Sequence, residues 1–170
     1  ILTVMFSWLG GGYVNSQYMS IYFWYTCMLP GLIALMCSLS NKKEKQFTSY
    51  YIKISLPINL KKFWISKNII IALKSIIATI ILVFCVEIIY INATNFAVFT
   101  PIELIVSSII ITITSFWQIP ICLILARKTN FFISVFLNIF LQMFSPILMQ
   151  NTILSFLFPY CWATKIAQPL

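Results

Sequence analysis

The stretch that decides the fold runs from Asn68 to Ile91 and reads NIIIALKSIIATIILVFCVEIIYI. Its only charged residues are Lys74 and Glu87, which lie toward opposite ends. A transmembrane α-helix needs roughly 20 predominantly apolar residues in a row. The stretch therefore predicts a helix that crosses a membrane, with each charged side chain close enough to an interface to extend toward the headgroups.

The rest of the chain has the same apolar character. Hydrophobic residues make up 61% of the sequence and charged residues 8%, against about 25% charged in a typical soluble protein. The predicted spans cover residues 21–40, 68–91, 101–126 and 131–150. We interpret 1–9 as the end of an earlier span and 151–170, interrupted by Pro159, as an outer re-entrant or interfacial segment. The predicted fold is all-α: a polytopic transmembrane helix bundle, one domain over 1–170 that we expect to be truncated at both ends.

Local signals mark where the helices begin and bend. Thr100-Pro101-Ile102-Glu103 is a capping box with proline at the first helical position, which gives Glu103 a structural role. Asn59 has the side chain of a helix N-cap. Prolines inside three predicted spans remove backbone donors and predict kinks or weak points. These prolines are Pro30, Pro120 and Pro146.

The charges predict an orientation. The net charge is +8, and nine of the eleven basic residues fall in two segments, 41–67 and 127–130. Nucleic-acid binding is one explanation for such a run. The positive-inside rule explains it better, because both segments connect predicted spans. We therefore expect 41–67 and 127–130 to be cytoplasmic and 92–100 to be outside, and we expect no nucleic-acid partner.

The cytoplasmic segment 41–67 contains an amphipathic pattern. Phe47, Tyr50, Tyr51 and Ile54 recur at the spacing of one helix face. Such a helix either lies on the lipid surface or docks on a cytoplasmic partner, and the two interpretations are compatible.

Polar side chains repeat at helical spacing within the third and fourth predicted spans. Hydroxyls and amides avoid lipid unless they are paired, so these stripes should face protein or an aqueous path. Packing between helices and contact with a substrate both remain open, and packing is the favoured alternative. The residues are Ser108, Thr112, Ser115 and Gln118 in one stripe and Ser134, Asn138, Gln142 and Ser145 in the other.

The residue inventory argues against an enzyme. The sequence contains no His, no Asp and only three Glu, which removes the usual zinc ligands and the aspartyl-protease pair. No GxxxxGK[ST] phosphate-binding loop is present. Lys74 and Ser75 adjoin in sequence but lie on different helix faces, so they do not form a Ser-Lys pair. We therefore predict no catalytic residue, no cofactor and no metal site, and any ATP hydrolysis must come from a separate subunit.

A series of short motifs resembles the permease subunits of lantibiotic-protection ABC transporters, within the type 2 ABC exporter permeases. The motifs occur in the same order as in that family, and they lie before and within the segment 41–67. They are Gly11-Gly12-Tyr13, Trp24-Tyr25, Leu29-Pro30-Gly31, Ala34-Leu35, Cys37-Ser38-Leu39, Lys43-Glu44-Lys45, Ser55-Leu56-Pro57, Lys61-Lys62, Trp64 and Ser66-Lys67. The closing Phe158-Pro159-Tyr160-Cys161-Trp162-Ala163 is similar to the outer re-entrant region of that family.

The resemblance implies a fold, a set of partners and an activity. A full chain would have about six spans in the bacterial cytoplasmic membrane and would pair with a second permease, identical or related. Segment 41–67 would be a coupling loop that docks on a separate ABC ATPase through Glu44, Phe47, Tyr50, Tyr51 and Ile54. The cargo would be an antimicrobial peptide expelled from the membrane for self-protection.

Two other functions compete with this one. The first is an immunity or scaffold protein that acts in the membrane without ATP, and it predicts that no ATPase co-purifies. The second is a membrane enzyme, which the missing residue types disfavour.

Overall fold

The computed structural model describes residues 18–47, 59–91, 100–148 and 158–167, and these residues are helical with no strand among them. The helices are α1 (Leu29–Phe47), α2 (Leu60–Ile91), α3 (Pro101–Thr114), α4 (Gln118–Lys128), α5 (Phe131–Met143), α6 (Ser145–Leu148) and α7 (Tyr160–Ala167). A π-helical turn, Trp24–Met28, joins helical residues 18–23 to α1. The predictions for 1–9, 92–99 and 151–157 fall outside the described residues.

Two helical stretches are long and apolar enough to cross a membrane, Tyr18–Lys45 and Lys61–Ile88. The pair α3 and α4, bent by 46°, makes a third if the two helices form one span. The stretch Phe131–Ile147 is apolar but shorter. The all-α fold is therefore confirmed for the described residues, with two or three helices long and apolar enough to cross a membrane. The higher count of about six spans stays a prediction.

Two predicted helix starts are confirmed. The Asn59 side-chain oxygen accepts the backbone N–H of Lys61 at 3.1 Å, at the start of α2. At the start of α3, the Thr100 hydroxyl accepts the Glu103 N–H at 3.4 Å. The Glu103 carboxylate in turn accepts the Thr100 N–H at 3.0 Å. These bonds satisfy backbone donors that a helix end leaves without partners.

The helices also bend near prolines. The 46° bend between α3 and α4 spans 115–117, just before Pro120, whose ring would crowd the Phe116 carbonyl of a straight helix. That carbonyl instead accepts the Ile119 N–H at 3.1 Å, so the kink predicted here is confirmed. The π-helical turn Trp24–Met28 directly precedes the Leu29-Pro30 pair, where a second kink was predicted.

The helices around the segment 41–67 extend beyond the predicted spans. We predicted spans over 21–40 and 68–91, and α1 continues to Phe47 while α2 begins at Leu60. The physical reason is that Lys, Glu and Gln are good helix formers, so charge moves a helix out of the hydrocarbon without ending it. With 32 residues, α2 is roughly 48 Å long, whereas the hydrocarbon core of a bilayer is about 30 Å thick. The helix is therefore longer than a membrane crossing requires.

The distribution of polarity is the reverse of that in a soluble protein. On α2, Ile77 and Ile81 are 56% and 59% exposed, whereas Ser75 and Thr79 are 0% and 2% exposed. The same contrast between exposed apolar and buried polar side chains recurs on α3 and α5. Large exposed apolar surfaces mark contact with a membrane or a partner, and polar residues turned inward are typical of membrane helix bundles.

The core lies around α1, which packs most extensively against α4 and α5. One apolar cluster, including Leu29, Ile33 and Leu123, fills the space between α1 and α4. Gly31 permits the close approach of α5, because a Cβ there would lie 3.0 Å from the Ile139 Cδ1 atom.

Candidate functional site

The basic ends of three helices meet at one end of the bundle. The last turns of α1 and the first turns of α2 carry lysines, and α4 ends on Arg127 and Lys128. Asn41 of α1 donates from Nδ2 to the backbone oxygen of Leu123 in α4 at 3.1 Å. The described parts of the two segments that the charge pattern predicts to be cytoplasmic, 41–47 with 59–67 and 127–130, therefore lie at one end of the bundle.

A network of polar side chains, which we call the charged network, ties these ends together. It consists of Asn41, Glu44 and Lys67. The Lys67 Nζ atom of α2 lies 2.9 Å from Glu44 Oε1 in an ion pair, and it also donates to Asn41 Oδ1. The side chains of Lys67 and Glu44 are 8% and 12% exposed. Little water reaches the pair, so loss of either partner would leave a buried charge uncompensated.

The structure describes two of the five predicted docking residues, Glu44 and Phe47. Glu44 is directed into the ion pair with Lys67, so within this chain it joins α1 to α2. Phe47 is the last residue of α1. Tyr50, Tyr51 and Ile54 fall outside the described residues. Contact of these five residues with a partner stays a prediction. Asn41 and Lys67 were not among the predicted site residues, and only the structure shows that they lie beside Glu44.

All eight residues of the predicted polar stripes are buried. Two of them meet directly, because Gln118 Nε2 donates to Gln142 Oε1 at 3.0 Å between α4 and α5. Asn138 Nδ2 of α5 donates to the backbone oxygen of Pro30 in α1 at 2.8 Å. This bond joins α5 to the first turn of α1, directly after the π-helical turn.

The centre of this second cluster is Tyr160, which sequence reasoning missed. Its hydroxyl donates to Asn138 Oδ1 at 2.7 Å, and its backbone oxygen accepts from Gln142 Nε2 at 3.4 Å. Its ring packs edge-on against Trp117, with ring centroids 4.6 Å apart. The short helix α7 thus inserts one aromatic side chain among α3, α4 and α5. We call Gln118, Asn138, Gln142 and Tyr160 the amide network.

The α3 stripe faces α2. The hydroxyls of Thr112 and Thr79 lie 3.0 Å apart, within hydrogen-bond distance. Thr79 also accepts from the indole N–H of Trp24 at 3.4 Å, while Ser108 and Ser115 donate to carbonyl oxygens of α3 itself. These contacts agree with the packing interpretation of the stripes. Contact of any of the eight residues with a substrate stays a prediction.

Glu87 lies at a groove between α2 and α3. The groove has a volume of about 400 Å³, and the surface that the two helices expose in it is almost entirely apolar, although Thr79, Ser108 and Thr112 also line it. We expected Glu87 to extend toward the headgroups. Its Oε1 atom is instead buried and has no hydrogen-bond partner in the structure described. The groove therefore presents an apolar surface, with a buried carboxylate oxygen beside it.

Comparisons of the chain with protein-family models, with curated proteins and with solved structures give no significant match.

Proposed function

We propose that the chain is the transmembrane permease subunit of an ATP-binding-cassette exporter that expels an antimicrobial peptide of the lantibiotic class from a bacterial cytoplasmic membrane. The chain contains no phosphate-binding loop, so the proposal assigns ATP hydrolysis to a separate subunit. It assigns the opposite wall of the transport path to a second permease, identical or related.

The observation that supports this proposal best is the charged network. It connects α1, α2 and α4 directly next to the connection 48–58 between α1 and α2. A displacement applied to that connection would therefore move three helices as one unit. A transport motion driven by ATP requires a group of helices that moves as one unit between two arrangements. ATP binding must favour one of these arrangements over the other.

The interior of the bundle supplies the second half of the mechanism. The π-helical turn at Trp24–Met28 and the break before Pro120 interrupt regular helix, and such places absorb changes in backbone angle at modest cost. The ends of α1 and α4 nearest the charged network would move with the ATPase. The opposite ends of the bundle would move by a smaller amount. The groove between α2 and α3 offers an apolar surface to the apolar side chains of the peptide cargo.

The experiment joins co-purification to peptide tolerance. The tagged full chain is purified from the membranes of its own organism, and associated ABC ATPases are identified by mass spectrometry. Tolerance to a nisin-like peptide is then compared in cells that carry an active or a catalytically inactive form of that ATPase. We expect the ATPase to co-purify and tolerance to require its activity.

Two variants and a control test the docking helix. Tyr51→Asp and Ile54→Asp should abolish both co-purification and tolerance without loss of membrane insertion, because each places an acid on the apolar docking face. Asn95→Asp adds the same charge in the predicted outer loop and should leave both unchanged. If no ABC ATPase co-purifies with the unaltered chain, or if tolerance is independent of ATP hydrolysis, the proposal is wrong and the ATP-independent immunity function gains support.

A further inference from the structure

A cavity of about 350 Å³ lies between α1 and α2, beside the charged network. Its polar lining contains more positive than negative charge, with three lysines against one glutamate. The polar lining residues are Ser40, Lys43, Glu44, Ser66, Lys67 and Lys74. Since Glu44 is paired with Lys67, the positive charges of Lys43 and Lys74 remain without a carboxylate partner among the described residues.

The position of Lys74 is informative. It is exposed on the apolar face of α2, two turns beyond Lys67 and thus roughly 10 Å farther along the helix. A lysine at this depth costs free energy unless its ammonium group extends back toward the headgroups or meets an anion. The cavity lies in the direction in which the side chain would extend.

An apolar ridge leads away from the cavity along α2. Ile70, which lines the cavity, is 52% exposed, and Ile77 and Ile81 continue the same helix face at 56% and 59% exposure. From Ile70 to Ile81 the ridge is roughly 17 Å long, close to the roughly 15 Å of hydrocarbon in one leaflet. A site that is cationic at one end and apolar along its length matches a phospholipid better than it matches a soluble anion.

We infer that this cavity binds the phosphate headgroup of an anionic phospholipid of the inner leaflet, with one acyl chain lying along the α2 ridge. Lys43 and Lys74 hold the phosphate, and the hydroxyls of Ser40 and Ser66 are further donors. Basic pockets between transmembrane helices are suited to anionic headgroups. Because Glu44 and Lys67 form one wall, a bound lipid would brace the contact between α1 and α2. This inference requires membrane insertion with the basic helix ends on the cytoplasmic side, and it does not rest on the proposed function.

The test measures lipid affinity with the purified full chain in detergent, by native mass spectrometry with short-chain phosphatidylglycerol and phosphatidylcholine. We expect phosphatidylglycerol to bind at least tenfold more tightly. Lys43→Gln and Lys74→Gln should each weaken its binding about 5-fold, and the double variant about 30-fold. Both lysines are outside the charged network, and circular dichroism and the melting temperature verify that the variants fold.

The matched control is the double variant Lys61→Gln/Lys62→Gln. It removes two exposed lysines from the same end of α2, outside the cavity lining, and should change the affinity less than 2-fold. Equal loss in the two double variants would show general surface attraction and overturn the inference. So would equal binding of the two lipids, or displacement of phosphatidylglycerol by inorganic phosphate at the concentration of the lipid. If the Lys43/Lys74 variant binds lipid normally but no longer retains a protein partner, the cavity is a protein contact and the lipid assignment is wrong.

Discussion

The charged network and the amide network connect overlapping sets of helices with different chemistry. Near the helix ends, Glu44 and Lys67 form an ion pair with Asn41 beside it. Deeper in the bundle, the hydrogen bonds between Gln118 and Gln142, and those of Asn138 with Pro30 and Tyr160, involve only neutral groups. The desolvation of a full charge costs several kcal/mol, whereas a paired amide costs far less. The bundle therefore places its ion pair within reach of the headgroups and its neutral hydrogen bonds in the hydrocarbon.

The largest effect should follow from breaking the charged network. Lys67→Met removes the ammonium group that faces the buried Glu44 carboxylate, and we expect it to lower the free energy of unfolding by about 3 kcal/mol. The measurement is unfolding in mixed micelles titrated with sodium dodecyl sulfate. The double variant Lys67→Met/Glu44→Gln removes both charges and should recover at least half of the loss.

The control for this prediction is Lys74→Met, which removes an exposed lysine from the same helix. Its effect should stay within about 0.5 kcal/mol. If Lys67→Met is as mild as Lys74→Met, the ion pair does not stabilise the bundle and the contrast between the two networks disappears.

A smaller effect is expected from the amide network. Asn138→Leu removes the hydrogen bonds to the Pro30 carbonyl and the Tyr160 hydroxyl, at a cost of about 1–2 kcal/mol. Phe136→Leu changes a side chain that is 72% exposed on the apolar face of the same helix and should have almost no effect. Equal stability of the Asn138→Leu variant and the unaltered chain would contradict the contacts described for this network.

The smallest effect should come from Tyr160→Phe, which removes a single hydroxyl. We expect a loss of about 0.6 kcal/mol in the same titration. The hydroxyl has lost its acceptor in the Asn138→Leu variant, so the double variant Asn138→Leu/Tyr160→Phe should be no less stable than Asn138→Leu alone. Additive losses would mean that the two side chains do not interact.

Helix caps and the proline bend could be predicted from the sequence because the residues that interact there lie within about one helical turn of each other. The capping box of Thr100 and Glu103, the cap at Asn59 and the bend before Pro120 all belong to this kind. The polar stripes were also recognisable as inward-facing, because an unpaired amide is costly in lipid wherever its partner lies. These signals predicted an all-helical membrane fold and the direction in which its polar side chains face.

The contacts between residues on different helices could not be predicted from the sequence. Asn138 meets the Pro30 carbonyl at a separation of 108 residues, and that pairing depends on how the helices pack rather than on either local pattern. Glu44 was assigned to ATPase docking from the family resemblance, which gave no sign of its ion pair with Lys67 on another helix. Tyr160 lies among interruptions by proline, so periodicity gave no sign that it enters the bundle.

The most direct test of the account is the side of the membrane on which the charged network lies. Single cysteines are placed at Asn95, in the predicted outer loop, and at Lys128, which is exposed at the end of α4, after the native cysteines have been replaced. Intact cells are then treated with a membrane-impermeant maleimide. The account predicts that Asn95→Cys is labelled at once and that Lys128→Cys is labelled only after the membrane is permeabilised. Labelling of Lys128→Cys in intact cells would place the basic helix ends outside and contradict both the orientation and the proposed contact with an ATPase.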